Sequence, residues 1–140
     1  MKKILLIIIL NFLICSFATA QTLQKVEQWD RFELPLQYKY NGNSFRDIRL
    51  SAVFQNKDTS IIVSGFYDGD NIFRIRFMPV KTGIWNYKTS SNIAVLNNKK
   101  GSFECIKAAG SNHGIVRVSD VYNFKYADGK QYYPFGTTAY

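Results

Sequence analysis

Cysteine and histidine are scarce in this sequence. Its 140 residues include two cysteines and a single histidine. Cys15 lies in an N-terminal segment that we expect to be removed, so Cys105 would remain alone in the mature chain. A lone cysteine cannot form an intrachain disulfide, and cysteine spacing indicates no zinc site. His113, in Ser111-Asn112-His113-Gly114, is best interpreted as a polar loop residue.

Sequence motifs for catalysis are also missing. There is no Gly-x-Ser-x-Gly nucleophile motif and no glycine-rich phosphate loop. Asp68 and Asp70 are the one closely spaced pair of acids, and two carboxylates can hydrolyse a glycosidic bond when they flank it. These two lie in a predicted turn, however, and the further ligands of a calcium loop are absent. We therefore predict no catalytic residue, no metal and no cofactor in this chain.

Long apolar runs are absent except at the N-terminus. Met1-Lys2-Lys3 is a short basic region, and residues 4–14 are apolar apart from Asn11. Ala18-Thr19-Ala20 then supplies the small residues that signal peptidase recognises. We predict that residues 1–20 are a signal peptide cleaved before Gln21, and that the mature protein is periplasmic or extracellular.

Two other interpretations of the N-terminus are less favoured. A membrane anchor would need about 20 apolar residues, which is longer than this run. Lipidation of Cys15 would need a small residue before the cysteine, where Ile14 stands. We therefore expect no membrane association after cleavage.

Acidic residues are fewer than basic ones, 10 against 18, and the net charge is +8. Removal of Lys2 and Lys3 would lower the net charge to +6. In the mature chain only Lys99 and Lys100 are adjacent basic residues, whereas nucleic-acid binding normally needs a clustered basic stripe. We expect no nucleic-acid partner, and anionic polysaccharide stays a candidate because a basic surface attracts uronic acids.

Alternation of apolar and polar residues dominates the chain after Gln21. In residues 32–40 every even position is apolar or aromatic, and Pro35 favours an edge strand because proline cannot donate to a ladder. Similar short runs follow, separated by turns such as Asp68-Gly69-Asp70-Asn71. We predict an all-β fold over residues 21–128, an immunoglobulin-like antiparallel β-sandwich of about seven or eight strands.

Aromatic residues make up 16% of the chain, and most fall on the inward phase of the strands. Outward aromatic rings can hold the apolar faces of ligands such as sugars. The candidates for such contacts are Trp29, Tyr40, Tyr67 and Tyr87. Packing in the core or at a strand edge is the ordinary alternative for each of them.

A series of spaced motifs resembles a known family. The motifs comprise Gly65-Phe66-Tyr67-Asp68-Gly69, then Phe73-Arg74-Ile75-Arg76-Phe77-Met78-Pro79, then Gly83-Ile84-Trp85-Asn86-Tyr87, with Trp29, Phe32 and Glu33 before them and Gly114-Ile115-Val116-Arg117-Val118, Phe124-Lys125-Tyr126-Ala127-Asp128-Gly129 and Tyr133-Pro134-Phe135-Gly136 after them. The sequence thereby resembles N-terminal β-sandwich domains of unknown function that precede (β/α)₈ glycoside-hydrolase barrels of the apiosidase-like type. The resemblance covers residues 26–140.

Physical roles can be assigned to several of the motif positions. Asp68-Gly69 supports a tight turn that tolerates positive φ. Phe73, Ile75, Phe77, Trp85 and Tyr87 would fill the space between the two sheets. Arg74 and Arg76, on the opposite face, would pair with acids or with a neighbouring domain, and Pro79 and Gly83 would bracket a connection between strands.

The resemblance implies a non-catalytic accessory domain of an exported glycoside hydrolase that acts on polysaccharide and docks on its own catalytic barrel. Residues 129–140 would then be the start of that barrel, and the catalytic carboxylates would follow Tyr140. Two alternatives remain. One is a free-standing carbohydrate-binding module that uses exposed tyrosines, and the other is a structural or adhesion domain of the immunoglobulin type.

We predict that the reading frame continues past the codon for Tyr140. Residues 133–140 look like a first barrel strand, and a strand buried on both faces is out of place at a chain end. Sequencing downstream should show roughly 250 residues of alternating strand and helix patterns. An open frame without that pattern would contradict the resemblance, and an immediate stop codon would indicate a decayed remnant or a stand-alone binder.

Overall fold

The computed structural model describes residues 23–57 and 59–136, which form β-strands joined by turns and loops. The strands are β1 Gln24–Glu27, β2 Phe32–Gln37, β3 Leu50–Asn56, β4 Thr59–Ser64, β5 Phe66–Tyr67, β6 Ile72–Phe77, β7 Gly83–Ser91, β8 Lys100–Ile106, β9 Val116–Val118, β10 Phe124–Tyr126 and β11 Gln131–Tyr132. The predicted signal peptide, with Cys15, lies outside the described residues. The described part of the chain contains no helix long and apolar enough to cross a membrane.

The strands form three sheets. A five-stranded sheet has the order β1-β8-β7-β3-β4, and a three-stranded sheet with the order β2-β6-β5 packs against it. A smaller sheet has the order β11-β10-β9. The predicted all-β sandwich is thus confirmed, although the strands are more numerous than expected because several contain only two or three residues.

One strand pair differs from the expected antiparallel arrangement. β1 and β8 are parallel, with Lys25 opposite Glu104 and Val26 opposite Cys105. Parallel neighbours need a long connection between them, and the whole chain from β2 to β7 supplies it here. Local alternation in the sequence carries no information about such a distant pairing.

The core lies between the two larger sheets and is mainly aromatic. Phe54 stacks on Phe77 with 4.2 Å between ring centroids, and Phe32 stacks on Phe103 at 4.1 Å. Trp85 is fully buried and donates from Nε1 to the Lys81 carbonyl at 2.8 Å. The buried apolar residues are Val26, Phe32, Leu50, Ala52, Phe54, Phe73, Ile75, Phe77, Trp85, Leu96, Phe103 and Cys105. The predicted inward positions of β6 and β7 therefore fill the core.

Pro35 of β2 lies in an edge strand, as predicted from the sequence. This strand pairs only with β6, so it is an edge strand, and Pro35 lies opposite Arg74. The missing N–H of proline costs no ladder hydrogen bond at the free edge.

The run of strand-forming residues over positions 60–67 is divided between two sheets. β4 belongs to the five-stranded sheet and β5 to the three-stranded sheet, with Gly65 between them. A Cβ atom at Gly65 would lie 2.7 Å from Leu50 Cδ2 and 3.0 Å from the Arg74 carbonyl oxygen. Glycine permits this close passage from one sheet to the other, which alternation alone does not reveal.

The small sheet has one apolar and one polar face. Its register places Val118 and Phe124 opposite each other, and Phe124 opposite Tyr132. We call this side the apolar sheet face, and its five residues are Val116, Val118, Phe124, Tyr126 and Tyr132. Arg117, Lys125 and Gln131 lie on the opposite side.

The hairpin of β10 and β11 crosses the domain boundary expected after residue 128. Gly129, with φ of 90°, lies in its turn, and Gly129 donates to the Tyr126 carbonyl at 2.9 Å. Residues 133–136 follow without a described strand, and residues 137–140 lie outside the described residues. The assignment of residues 129–140 to a barrel therefore stays a prediction.

Replacement of Phe54 by alanine should lower the free energy of unfolding by about 3–5 kcal/mol, because a fully buried ring is lost from between the sheets. Urea denaturation measures the loss. The control is Ile62→Ala on β4, where the side chain is 74% exposed, and its effect should stay within about 0.5 kcal/mol. Equal losses from both substitutions would contradict the described packing.

Candidate functional site

The outer face of the β2-β6-β5 sheet carries a network of charged side chains. Arg74 Nη1 lies 2.5 Å from Glu33 Oε1, and Arg74 Nε donates to Asp68. Arg76 Nε lies 2.6 Å from Glu33 Oε2. The strand register explains the pairing, because Glu33 lies directly opposite Arg76. We call Glu33, Asp68, Arg74 and Arg76 the arginine network.

The network favours the charged forms of Glu33 and Arg74. The hydrogen bond from Arg76 holds the pKa of Glu33 below its usual value, and the charge of Arg74 acts in the same direction while partial desolvation opposes it. The hydrogen bond to Asp68 raises the pKa of Arg74. Arg74 and Arg76 offset the charges of the two carboxylates and stabilise the sheet face, and Arg31 adds a looser contact, with its Nε 3.8 Å from Glu33 Oε2.

A cleft opens at the end of the sandwich where Gly65 carries the chain between the sheets. It consists of two adjoining depressions of about 600 and 280 Å³, which share Ile48, Leu50 and Gly65 in their lining. We call them together the end cleft. Its aromatic side is lined by Phe45, Phe66, Tyr67 and Phe73, and its polar side by Arg49, Ser51, Ser64, Ser90, Ser91 and Asn92. The polar side lies on the outer face of the five-stranded sheet, because Ser51 alternates with the buried Leu50 and Ala52.

The loop over residues 41–49 forms one wall of the end cleft and is held by side chains. Asp47 Oδ2 accepts hydrogen bonds from the Asn43 N–H at 2.9 Å and from the Tyr40 hydroxyl at 3.2 Å. Asn92 accepts from the Arg49 N–H and donates to the Asp47 carbonyl, both at 2.8 Å. The charge of Asp47 raises the pKa of Tyr40, so this tyrosine stays neutral.

Phe45 projects from this loop and is 76% exposed. Its ring meets Tyr67 edge to face, with 5.1 Å between centroids and an angle of 89° between the planes. Tyr67 is supported in turn by Phe73 at 5.0 Å, and its hydroxyl accepts from the Asn71 N–H at 3.2 Å. Edge-to-face contacts of this kind are favourable, so the exposed ring has a preferred orientation.

A second, smaller depression of about 200 Å³ lies where the sandwich meets the small sheet. His113 Nδ1 and Asp128 Oδ2 are 2.9 Å apart there, and the Lys130 backbone N–H is the main cause of the lowered pKa of Asp128. The backbone N–H of Trp29 donates to the Pro79 carbonyl at 2.9 Å. A Cβ at Gly114 would lie 2.5 Å from Trp29 Cδ2, so the indole packs tightly against this junction.

The residues predicted to contact sugar or another domain occupy four separate places. Arg74 and Arg76 share the arginine network, while Tyr67 lines the end cleft and Tyr40 braces its loop. Trp29 lies at the junction with the small sheet. Tyr87 packs against Phe32 and Phe54 at the edge of the core, where burial raises its pKa.

The backbone conformation, contacts or burial of several motif residues account for the type of residue found at each position. Gly69, with φ of 91°, and Gly83, with φ of 108°, occupy conformations that favour glycine. Phe66 lies under the Arg76 guanidinium, 4.8 Å from its ring centroid. Phe77, Pro79 and Trp85 are buried.

Sequence reasoning missed Phe45 and the polar side of the end cleft. Phe45 lies in a loop outside the alternating pattern, so its exposure is the product of loop geometry.

Among residues 23–57 and 59–136, no three His, Cys, Asp or Glu side chains come close enough together to hold a metal ion.

Comparisons with known proteins agree with the sandwich architecture. Residues 25–92 match the family model described as Domain of unknown function (DUF5060). The chain is also similar to a crystal structure of a "putative glycoside hydrolase" from Bacteroides vulgatus, with a TM-score of 0.79 and 56% sequence identity. No curated protein matches the chain.

The similarity covers very different shares of the two chains. It extends over 84% of this chain and 23% of the Bacteroides vulgatus chain. This chain therefore spans less than a quarter of the length of that relative.

The arginine network should make the free energy of unfolding depend on pH. Because the pKa of Glu33 is depressed in the folded state, its contribution is present above the usual value of 4.5 and is lost as the pH falls through the lowered pKa. Glu33→Gln should therefore lower the thermal unfolding midpoint near neutral pH, and the difference from the wild type should shrink in acid.

The matched control for this measurement is Glu104→Gln. It removes a looser and more exposed pair, in which Lys25 Nζ and Glu104 Oε2 are 3.9 Å apart, so its effect should be smaller. A Glu33→Gln deficit that is constant from neutral to acidic pH would contradict the ion-pair explanation.

Proposed function

We propose that this chain forms a non-catalytic accessory domain of an exported glycoside hydrolase that acts on polysaccharide. Its role is to support or shape a catalytic (β/α)₈ barrel of the apiosidase-like type. The observation that carries the proposal is the apolar sheet face, considered together with the much greater length of the similar Bacteroides vulgatus protein.

Among the described residues the apolar sheet face is covered only in part, where His113 packs against Tyr126 with 5.2 Å between ring centroids. Val118 on this face is 68% exposed, and Tyr122 in the neighbouring loop is 89% exposed. Val116 and Phe124 are also partly open to solvent. A contiguous patch of large apolar side chains on a small sheet is typical of a surface that packs against another domain.

The proposed occupant of this face is the remainder of a longer chain. More than three quarters of the Bacteroides vulgatus relative lies outside the region similar to this chain, which leaves ample length for a separate domain. In our proposal that domain supplies the catalytic carboxylates, and no residue of this chain takes part in the chemistry.

Two further observations support parts of the proposal, one from the sequence and one from the small sheet. The basic and apolar residues before Gln21 support export to the periplasm or beyond. The charged side of the small sheet, with Arg117 and Lys125, supports an orientation in which this side faces solvent while the apolar side faces the barrel.

The docking is tested in a chimera in which this chain replaces the matched region of the Bacteroides vulgatus protein. We expect one cooperative thermal transition, because burial of the apolar sheet face couples the two domains. Val118→Asp should separate or lower the transition of the sandwich, since a carboxylate is costly to bury in an apolar contact. Differential scanning calorimetry records both results.

The control is Arg117→Asp, which introduces the same carboxylate next to Val118 but on the opposite side of the sheet. It should leave the single transition in place. Two independent transitions in the unsubstituted chimera, or equal effects of the two substitutions, would overturn the proposed docking. Glycosidase turnover by the isolated chain would overturn the proposal that it is non-catalytic.

A further inference from the structure

We infer that the outer face of the five-stranded sheet carries a binding site for the anionic groups of an acidic polysaccharide, either uronate carboxylates or sulfate esters. Lys88 and Lys100 would bind the anionic group, and the side-chain amides of Gln55 and Asn86 would bind neighbouring hydroxyl groups. The inference rests on the proposed function and deepens it, because it gives the class of polysaccharide that the accessory domain would hold.

A depression of about 410 Å³ marks this site on three neighbouring strands, β3, β7 and β8. Its lining includes Val53, Gln55, Asn86, Lys88 and Lys100, which we call the lysine site. The two amides and the two lysines are exposed, so their polar groups are open to a ligand from solvent.

All five side chains of the lysine site project from one face of the sheet. The two that belong to β3 flank the fully buried Phe54, so alternation places both on the side away from the core. Residues directly opposite each other on adjacent strands share a face. In the register of this sheet, Asn86 lies opposite Gln55, Lys88 opposite Val53, and Lys100 opposite Lys88. One ligand can therefore contact the whole set.

The two lysines form a cross-strand pair of like charges. Lys88 and Lys100 are direct neighbours in the register, and such like-charge pairs destabilise a sheet. Within the described part of the chain neither lysine takes part in an ion pair. Glu104, on the same face of β8, pairs with Lys25 and lies four residues, roughly 13 Å, along the strand from Lys100. An anion bound between the two ammonium groups would remove their repulsion.

Uncharged groups beside the lysines match the rest of a sugar residue. Gln55 and Asn86 lie opposite each other, and each amide offers two N–H donors and a carbonyl acceptor to sugar hydroxyl groups. Val53 lies next to Lys88 in the same row, and Ile62, opposite Val53 on β4, is 74% exposed. These two side chains offer an apolar surface to a ring face, and ligand sites commonly join such a surface to a few polar groups.

The lysine site stays open when the apolar sheet face is covered. Lys100 begins β8, whereas Ile106 ends it and accepts at its carbonyl from the Gln28 N–H at 2.8 Å, beside the junction with the small sheet. The seven residues of β8 separate these two ends by roughly 20 Å. A polysaccharide can therefore bind at the lysines while a catalytic domain is docked on the small sheet.

Isothermal titration calorimetry of the mature chain tests the inference, with polygalacturonate, dextran sulfate and neutral galactan as probes. The salt concentration should be about 0.15 M, at which charges farther apart than about 8 Å are largely screened. We expect binding to at least one of the two anionic polymers. Binding to polygalacturonate alone would identify carboxylate as the recognised group, and binding to dextran sulfate alone would identify sulfate.

Two variants test the role of the site residues. Lys88→Gln combined with Lys100→Gln should weaken binding about tenfold or more, because charge-assisted contacts are lost. The same double variant should not lower the thermal unfolding midpoint, since it relieves the repulsion between the lysines. Gln55→Ala should weaken binding without any change in net charge.

The matched control is Arg117→Gln combined with Lys125→Gln. It removes the same charge from another cross-strand pair of cations, on the polar side of the small sheet, and should change the affinity by no more than about twofold. Equal weakening by the two double variants would indicate unspecific attraction to a basic chain and overturn the inference. Absence of binding to both anionic polymers, or equal affinity for galactan, would overturn it as well. Because the chimera reports on docking without any polysaccharide, a failure of sugar binding can be told apart from a failure of the proposed function.

Discussion

The close passage of the chain at Gly65 is the constraint on which the other features depend. The missing side chain allows the backbone to pass against Leu50 and the Arg74 carbonyl and to leave one sheet for the other. Ser64 is thereby placed beside Ser51, while Phe66 reaches the arginine network one residue after the crossing. One backbone position thus links both sheets and forms the floor of the end cleft.

Much of the sandwich follows from local sequence patterns. The alternation around Phe73, Ile75 and Phe77 predicts a strand with one buried face, and the structure buries all three residues. Pro35 indicates an edge strand because of its missing donor, and β2 is one. The turn at Gly69 follows equally from local chemistry, since its φ is 91°. Each of these inferences needs only neighbouring residues.

Other features depend on contacts that local patterns do not encode. The parallel pairing of Val26 with Cys105 joins residues that are far apart in the sequence. Ser64, Ser51 and Ser90 lie side by side only because three strands have one particular register, and none of these serines carries a signal of its own. Phe45 is exposed because Asp47 and Asn92 anchor its loop, a tertiary arrangement with no periodic trace in the sequence. The candidate site was therefore less predictable than the core that supports it.

The two ends of the sandwich have different chemistry, and β7 runs between them. At the Gly83 end, Trp29 and the His113–Asp128 pair join the sandwich to a sheet whose open face is apolar, a surface suited to a permanent neighbour. At the Ser91 end, the exposed Phe45 ring packs against Tyr67 on a loop that hydrogen bonds of Asp47 anchor, while the neighbouring arginine and serines lie on the outer face of the five-stranded sheet. Permanent contacts between domains rely on large apolar areas, which the small sheet at the Gly83 end offers and the Ser91 end does not. The nine residues of β7 place the two ends roughly 27 Å apart, so a neighbour packed at the Gly83 end would leave the loop of Phe45 uncovered.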